Sequence, residues 1–325
     1  MLRTILAALV TVSAVPAQAA VERTVAAMGT WLDLRVSAAD RASALSASEA
    51  AVQAVAAVEA RLSTWRPDSE VSLANQAPPR TPFALSPATA DDVRMALRFA
   101  SASEGTFTPG LGALIDAYGL RGARRWPGPT ELAAARGQSA ASAIALDGES
   151  LVRSSPTAWL STDAIAKGIA LRHAAAAVRA AGATARLDFG GQWLVEGGST
   201  EWIAVAHPDH RDQVVATIAL LPGRSAATSG NGERRAIVDG RPHGHLLDPR
   251  TGTFADDFGS VTAVATDPAL ADAAATALFV AGPAAGPALA ARLGVEALFV
   301  VRVTDATVRC VATPGLGMRP TSPHP

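Results

Sequence analysis

The chain has 325 residues, a formal net charge of −1 and 49% hydrophobic residues. That composition can supply one large core or two modest ones. With no basic run and a single tyrosine, it argues against a nucleic-acid surface, which shows clustered positive charge.

The first twenty residues read as an export signal. Arg3 precedes the apolar run Ile5–Val15, and Ala17-Gln18-Ala19 offers a small-residue cleavage site, with processing expected near Ala19/Ala20. The run is too short to span a bilayer. No other segment reads as a span, so no transmembrane anchor is expected and the address is periplasmic. This divides the chain into a signal (1–20), a folded domain (21–312) and a proline-rich tail (313–325) read as frayed. The lone Cys310 permits no internal disulfide and reads as a small apolar residue.

After residue 20, Trp31–Val36 alternates, placing Leu32, Leu34 and Val36 on one strand face behind a turn at Met28-Gly29-Thr30. Ala42–Leu62 has helical spacing at Val52, Val55, Val58 and Leu62, and Pro67 keeps the helix from continuing. Trp65 then lies on a loop beside Ser63, Thr64 and Ser69, equally suited to stacking on a planar ligand or to a core place. Ser86-Pro87 is a helix start, and that helix runs to Ala102. Thr106–Gly110 is a loop, Leu111–Tyr118 a short helix, and Arg121–Gly137 a loop with a short helix. Short strands are expected at Ala143–Leu146, Leu151–Arg153 and Ala158–Leu160. Ser161-Thr162-Asp163 caps a helix to about Ala181, whose start can present N–H groups to a phosphate. Strands follow at Ala185–Phe189 (running into Gly190-Gly191), Trp202–Ala206 and Val214–Leu220. Helices are expected to Ala281 and over Ala284–Leu293, and a hairpin at Val295–Val303 and Thr307–Val311.

Chemistry-bearing residues concentrate between Thr228 and Thr276. Asp272 and Thr276, four apart, share a helix face. They offer hard oxygen ligands of the kind Mg²⁺ takes, or equally a local cap and a back-bonded hydroxyl. His243 and His245 lack the further ligands zinc needs, so one histidine as a general base and a merely hydrogen-bonded histidine both stand. Arg250 suits a phosphate or its neighbour Asp248. Ser225–Gly232 can cradle an anion, but no Walker loop and no Gly-x-Ser-x-Gly elbow occurs.

In order, these pieces resemble the FAD:protein FMN transferases, the ApbE-like flavin transferase family. The matching stretches are Met28-Gly29-Thr30, Ser63-Thr64-Trp65 with Ser69 and Asn75, Phe107-Thr108-Pro109, Tyr118-Gly119 and Ala164-Ile165-Ala166-Lys167-Gly168. Gly190-Gly191, Thr228-Ser229-Gly230, His245–Gly252 and Ala271-Asp272 with Thr276 complete the set. The resemblance implies an α/β (α+β mixed) fold, with mixed sheets, packed helices and a nucleotide cleft. It implies Mg²⁺-dependent transfer of FMN from FAD to a Thr or Ser hydroxyl of a target redox flavoprotein, with release of AMP. Hydrolysis of FAD to FMN and AMP, or flavin binding without catalysis, are the alternatives. By resemblance, Asp272, Thr276 and the Ala164 carbonyl hold the metal, and His245 is the catalytic base. Met28, Trp65, Thr106, Phe107, Thr108, Lys167 and Leu246 contact FAD. Two departures stand out. The family usually has Phe-Asp-Pro-Thr at Phe107–Gly110 and Asp-Leu-Gly-Gly at Ser161–Ala164, so both acids are missing here, with Asp163 two residues beyond the second.

Overall fold

Alternation between Thr30 and Ala38 buries Leu32, Leu34, Val36 and Ala38 while Trp31, Asp33 and Arg35 face outward, as a half-buried strand requires. The computed structural model describes residues 19–231, 235–238, 241–304 and 307–321; most of the expected export signal lies outside them. β1 (Ala19–Ala27) and β2 (Thr30–Ala38) form a hairpin, so Ala19 and Ala20, assigned to the signal, are paired with Ala38 and Ser37. α1 (Arg41–Leu62), α2 (Glu70–Gln76), β3 (Phe83–Ala84), α3 (Pro87–Ala102), α4 (Gly112–Ala117) and α5 (Pro129–Gln138) follow, then β4 (Ile144–Asp147) and β5 (Ser150–Arg153). α6 (Ala166–Ala180) leads into β6 (Thr184–Phe189), β7 (Gln192–Glu196), β8 (Glu201–Ala206), β9 (Val214–Leu220) and β10 (Arg224–Gly230). Next come β11 (Arg235–Val238), β12 (Arg241–Gly244) and β13 (Gly259–Ala265). α7 (Pro268–Leu293), β14 (Glu296–Arg302), β15 (Val308–Ala312) and β16 (Met318–Pro320) close the chain.

Eight strands form one sheet in the order β1-β2-β6-β7-β10-β13-β14-β15, and the described pairings are antiparallel. The α/β expectation therefore takes its α+β form. α1, α6 and α7 cover one face of this sheet. The three-stranded sheet β16-β9-β8 covers the far half of the other, where Ile203, Val205, Ile218 and Leu220 meet Ala226, Val264, Leu298 and Val300. This layering explains why β13 is buried at every residue, a pattern periodicity cannot separate from a helix.

Four expectations are corrected. Ala158–Leu160 is not a strand: the Asn75 amide takes both the N–H and the carbonyl of Leu160, at 2.8 and 2.9 Å, in place of a ladder partner. The tail from Thr313 is not simply frayed, because β16 pairs with β9 and Leu316 and Met318 pack on the second core. α7 is 26 residues and apolar enough to cross a membrane by length and composition, against the expectation that no such segment exists. It is mostly buried in the fold and kinked at Gly282 (φ 74°), with the sheet on one side and α6 beside it, which is the setting of a core helix. Finally, α6 has no polar cap of its own: Ile165 occupies that position, and Thr162 instead donates to the Leu62 carbonyl at 2.7 Å.

Candidate functional site

The missing cap is supplied from another helix. The Gly168 N–H, in the first turn of α6, donates to Oδ2 of Asp272 on α7 at 2.9 Å. Glycine makes this possible. A Cβ there would lie 2.4 Å from the Pro268 carbonyl oxygen and 2.7 Å from Ala269 Cα, so the helices cross at backbone contact. Asp272 is 7% exposed. Burial pushes its carboxyl up from the ordinary range, while the Lys167 charge and the Gly168 N–H pull the other way without cancelling it. The Gly168 N–H goes to Asp272, so it is not the donor that would close a helical turn onto the Ala164 carbonyl four residues earlier.

One turn along α7, the Thr276 hydroxyl lies 3.4 Å from Ser229 Oγ on β10. Two residues further, Asn231 Oδ1 accepts the His245 backbone N–H at 3.3 Å. That carboxamide lies so close over Gly244 that a Cβ there would come within 2.3 Å of Asn231 Nδ2. Ala164, Lys167, Asp272, Thr276 and His245 are thus linked through adjacent hydrogen-bonded segments. Leu246 is half-buried on the main core, and its carbonyl accepts from Ala255 at 2.9 Å. Arg250 forks onto Asp248 at 2.8 and 3.0 Å and reaches the Val280 carbonyl, so the structure pairs it with its neighbour. The side chain of His243 lies outside the described residues.

The early loops join the same region. Ser161 N–H donates to the Pro109 carbonyl at 2.7 Å, bringing the Thr106–Gly110 loop to the entry of α6. The side chains of that loop turn inward, however. Thr106 donates to the Ser103 carbonyl at 2.6 Å, Phe107 packs edge-on against Phe99, and Thr108 donates to the Ser139 carbonyl while accepting from Gly110 N–H. Trp65 is 67% exposed, and its neighbour Thr64 donates to Asp163 at 3.1 Å, next to Ala164. Asp163 also pairs with Arg121, so its carboxylate is engaged on the loop side. Met28 stands in the β1–β2 turn with left-handed backbone (φ 48°) beside Gly29 (φ 72°), a conformation that costs a residue with a Cβ roughly 1 kcal/mol.

Sequence reasoning missed several members of this region. Gly168 was quoted only as part of a motif, although a glycine in the first helical turn is itself a sign of close packing. Asp188 on β6 was passed over: burial pushes its carboxyl up, partly offset by the Gly191 N–H at 2.9 Å, and Lys167 also acts on it. Asn231 and Arg121 carried no spacing signal.

A model of the ApbE family matches residues 28–299. A Rhodobacter capsulatus protein named FAD:protein FMN transferase is 34% identical over 249 residues, covering 74% of this chain; the chain spans about half (47%) of that relative's length. A Vibrio cholerae protein of the same name is 30% identical over 258 residues, 76% of this chain and 77% of the relative. Among solved structures, the apo Pseudomonas stutzeri flavinyl transferase ApbE superposes with a TM-score of 0.80 at 26% identity, over 91% of this chain and 95% of its own. The Thermotoga maritima ApbE protein gives 0.82 at 26% identity, over 91% and 97%. With the family model spanning most of its length, the chain belongs to the ApbE family.

Proposed function

We propose that the protein transfers the FMN moiety of FAD to a Thr or Ser hydroxyl of a target redox flavoprotein, releasing AMP, and that Mg²⁺ serves the reaction. The observation that carries this reading is the α6–α7 crossing. There a buried carboxylate, a hydroxyl, a lysine and a helix N-terminus converge, in a chain whose relatives bear the transferase name.

The residues present fit a hard divalent cation. Asp272 is buried with its charge disfavoured by desolvation, and Thr276 offers an oxygen one turn away. Among the described residues no three His, Cys, Asp or Glu side chains cluster, so the shell would be completed by backbone, water and substrate oxygens. Asp272, Thr276 and the Ala164 carbonyl would hold the ion. When bound, Mg²⁺ supplies positive charge to the pyrophosphate oxygens as negative charge moves onto AMP. The Ala166 and Gly168 N–H groups of the first turn of α6 are taken by the Thr162 carbonyl and Asp272, so a phosphate there would be drawn by the helix dipole and by the full charge that Lys167 adds at the same end. Trp65 offers an indole face to the isoalloxazine. His245 accepts the proton of the acceptor hydroxyl as that oxygen bonds to the FMN phosphorus and the bond to the AMP oxygen breaks. Export through the N-terminal signal would bring the enzyme to envelope flavoproteins.

The test incubates the purified protein with FAD, Mg²⁺ and a co-occurring flavin-acceptor domain, and follows the acceptor by mass spectrometry. A covalent FMN increment that disappears with Asp272→Ala is expected. FMN and AMP without an adduct would assign hydrolysis instead, and no consumption of FAD would overturn the enzymatic reading.

A further inference from the structure

We propose that Arg121 is a positioning residue for the exposed indole of Trp65, and through it for the flavin ring; the second half rests on the FAD reading above. A tryptophan two-thirds exposed on a loop has little of its own packing to fix its rotamer. Here the loop and the ring are both held.

The loop is tied at its start. Trp65 N–H donates to Ser63 Oγ at 3.2 Å, and the Ser63 carbonyl accepts from the hydroxyls of Ser69 and Ser72. The ring is held by the Arg121 guanidinium, whose carbon lies 4.4 Å from the Trp65 ring centroid and 4.4 Å from that of Trp159. Both distances are well inside the roughly 6 Å over which a cation is attracted to an aromatic face. The plane of the guanidinium is set by its edge. Nη1 donates to the Thr64 carbonyl at 2.9 Å, and Nη2 donates to Thr64 Oγ1 at 2.6 Å and Asp163 Oδ2 at 3.2 Å. Arginine, unlike lysine, can bond through its edge while stacking through its faces.

Trp159 is equally fixed. Its Nε1–H donates to Asp116 Oδ2 at 2.7 Å, and its ring lies on Gly112 of α4, where a Cβ would come within 2.3 to 2.5 Å of three ring atoms. Gly112, Trp159, Arg121 and Trp65 therefore form consecutive layers from a helix backbone outward, ending in an exposed indole. Asp163, which anchors the arginine, immediately precedes Ala164, so the stack is referenced to the segment that carries the candidate metal ligand. A planar ligand on Trp65 would inherit its place relative to Lys167 and Asp272 from this stack.

The test combines Arg121→Met, which keeps length and apolar contact, with Arg121→Lys, which keeps the charge and loses the fork. Circular dichroism verifies that each variant is folded. In protein labelled with 5-fluorotryptophan, the Trp65 resonance (assigned with Trp65→Phe) should shift and narrow in Arg121→Met. FAD titration should show a Kd raised roughly three- to tenfold, with partial recovery in Arg121→Lys and kcat at saturating FAD little changed. In a Trp65→Ala background, Arg121→Met should add no further loss of affinity. An unmoved fluorine resonance overturns the proposal, and so does an equal penalty with or without the indole, which would mean that Arg121 touches FAD itself. A parent protein that takes up no FAD sinks the flavin reading, while the fluorine spectrum still decides whether Arg121 holds Trp65.

Discussion

Replacing Gly168 by alanine sets two effects of opposite sign against each other. Alanine is favoured over glycine inside a helix by up to about 1 kcal/mol, so propensity alone predicts a more stable protein. At this position the new Cβ would sit 2.4 Å from the Pro268 carbonyl oxygen, 2.7 Å from Ala269 Cα and 2.8 Å from Asp272 Cβ. Two of these three atoms are backbone, so relief needs one helix to move from the other. Overpacking of this kind costs about 1–3 kcal/mol. Separation also lengthens the 2.9 Å bond from the Gly168 N–H to the Asp272 carboxylate, and a bond to a charged group contributes about 1.5–3 kcal/mol. The steric and hydrogen-bond losses exceed the propensity gain, leaving a net destabilisation of about 2–4 kcal/mol. Urea denaturation should show the midpoint falling by roughly 1–2 M at an unchanged slope. In an Asp272→Ala background the hydrogen-bond part is already gone, so the same substitution should cost less. A Gly168→Ala protein with a midpoint at or above that of its parent would refute the reasoning, because the crossing would then have slack that the structure denies it.

Asp272→Asn keeps a hydrogen-bond acceptor for Gly168 and removes a charge that burial disfavours. Without metal its melting temperature should match or exceed the parent's; added Mg²⁺ should raise only the parent's, and turnover of FAD should be lost. Equal Mg²⁺ stabilisation of both proteins would remove Asp272 from the metal site. Arg153→Met should cost about 2–4 kcal/mol in urea denaturation, because the buried guanidinium serves the carbonyls of Ala77, Ser155, Pro156 and Ala158; a loss below about 1 kcal/mol would mean water replaces it. Burial pushes the Glu70 carboxyl up, but hydrogen bonds from Thr89 and Ser86 and the Arg61 charge outweigh it and hold it below the ordinary 4.5. A folded value below the unfolded one gives stability that is complete above the unfolded value and lost as pH falls through the folded one. Thermal melts from neutral pH to pH 3 should therefore show a steeper acid decline for the parent than for Glu70→Gln, and parallel curves would contradict the assignment.

What was legible in the sequence was local. Leu32, Leu34 and Val36 marked β2 by alternation, and Ser86-Pro87 marked the start of α3, where the Ser86 hydroxyl does accept the Thr89 N–H. The expected separation of a helix ending at Ala281 from one over Ala284–Leu293 matches the kink of α7 at Gly282. Failures came where a tertiary partner replaced a local one. Leu160 read as strand, but Asn75 on α2, not a neighbouring strand, takes its N–H and carbonyl. The polar run Ser161–Asp163 looked like a cap, yet the Thr162 hydroxyl and the Asp163 carboxylate are engaged elsewhere and Asp272, more than a hundred residues on, accepts the Gly168 N–H. β16 was hidden because a three-residue strand carries no period and only β9 makes it one. The candidate site residues come from the ordered family motifs, since no single pair among them exceeds what chance spacing would supply.

The two departures from the family pattern acquire a common physical setting. Thr108 closes a turn on Gly110 N–H and holds the Ser139 carbonyl, while Ser161 N–H meets the carbonyl of Pro109 between them. The positions lacking acids are thus two sides of one buried junction, both served by neutral groups. A lone carboxylate introduced at Thr108 would meet the Ser139 carbonyl oxygen that the threonine hydroxyl now serves. Asp163, the acid nearest in sequence, does not fill the gap, because Thr64 and Arg121 already hold its carboxylate on the Trp65 side. In this chain the acid at the entry of α6 thus lies on the side of the aromatic stack. Lys167 and the helix N-terminus then face a region whose buried acids are Asp272 and the partly buried Asp188. Fewer fixed carboxylates leave the local potential more positive, and under the proposed function Asp272 is then the carboxylate on which the site would depend most.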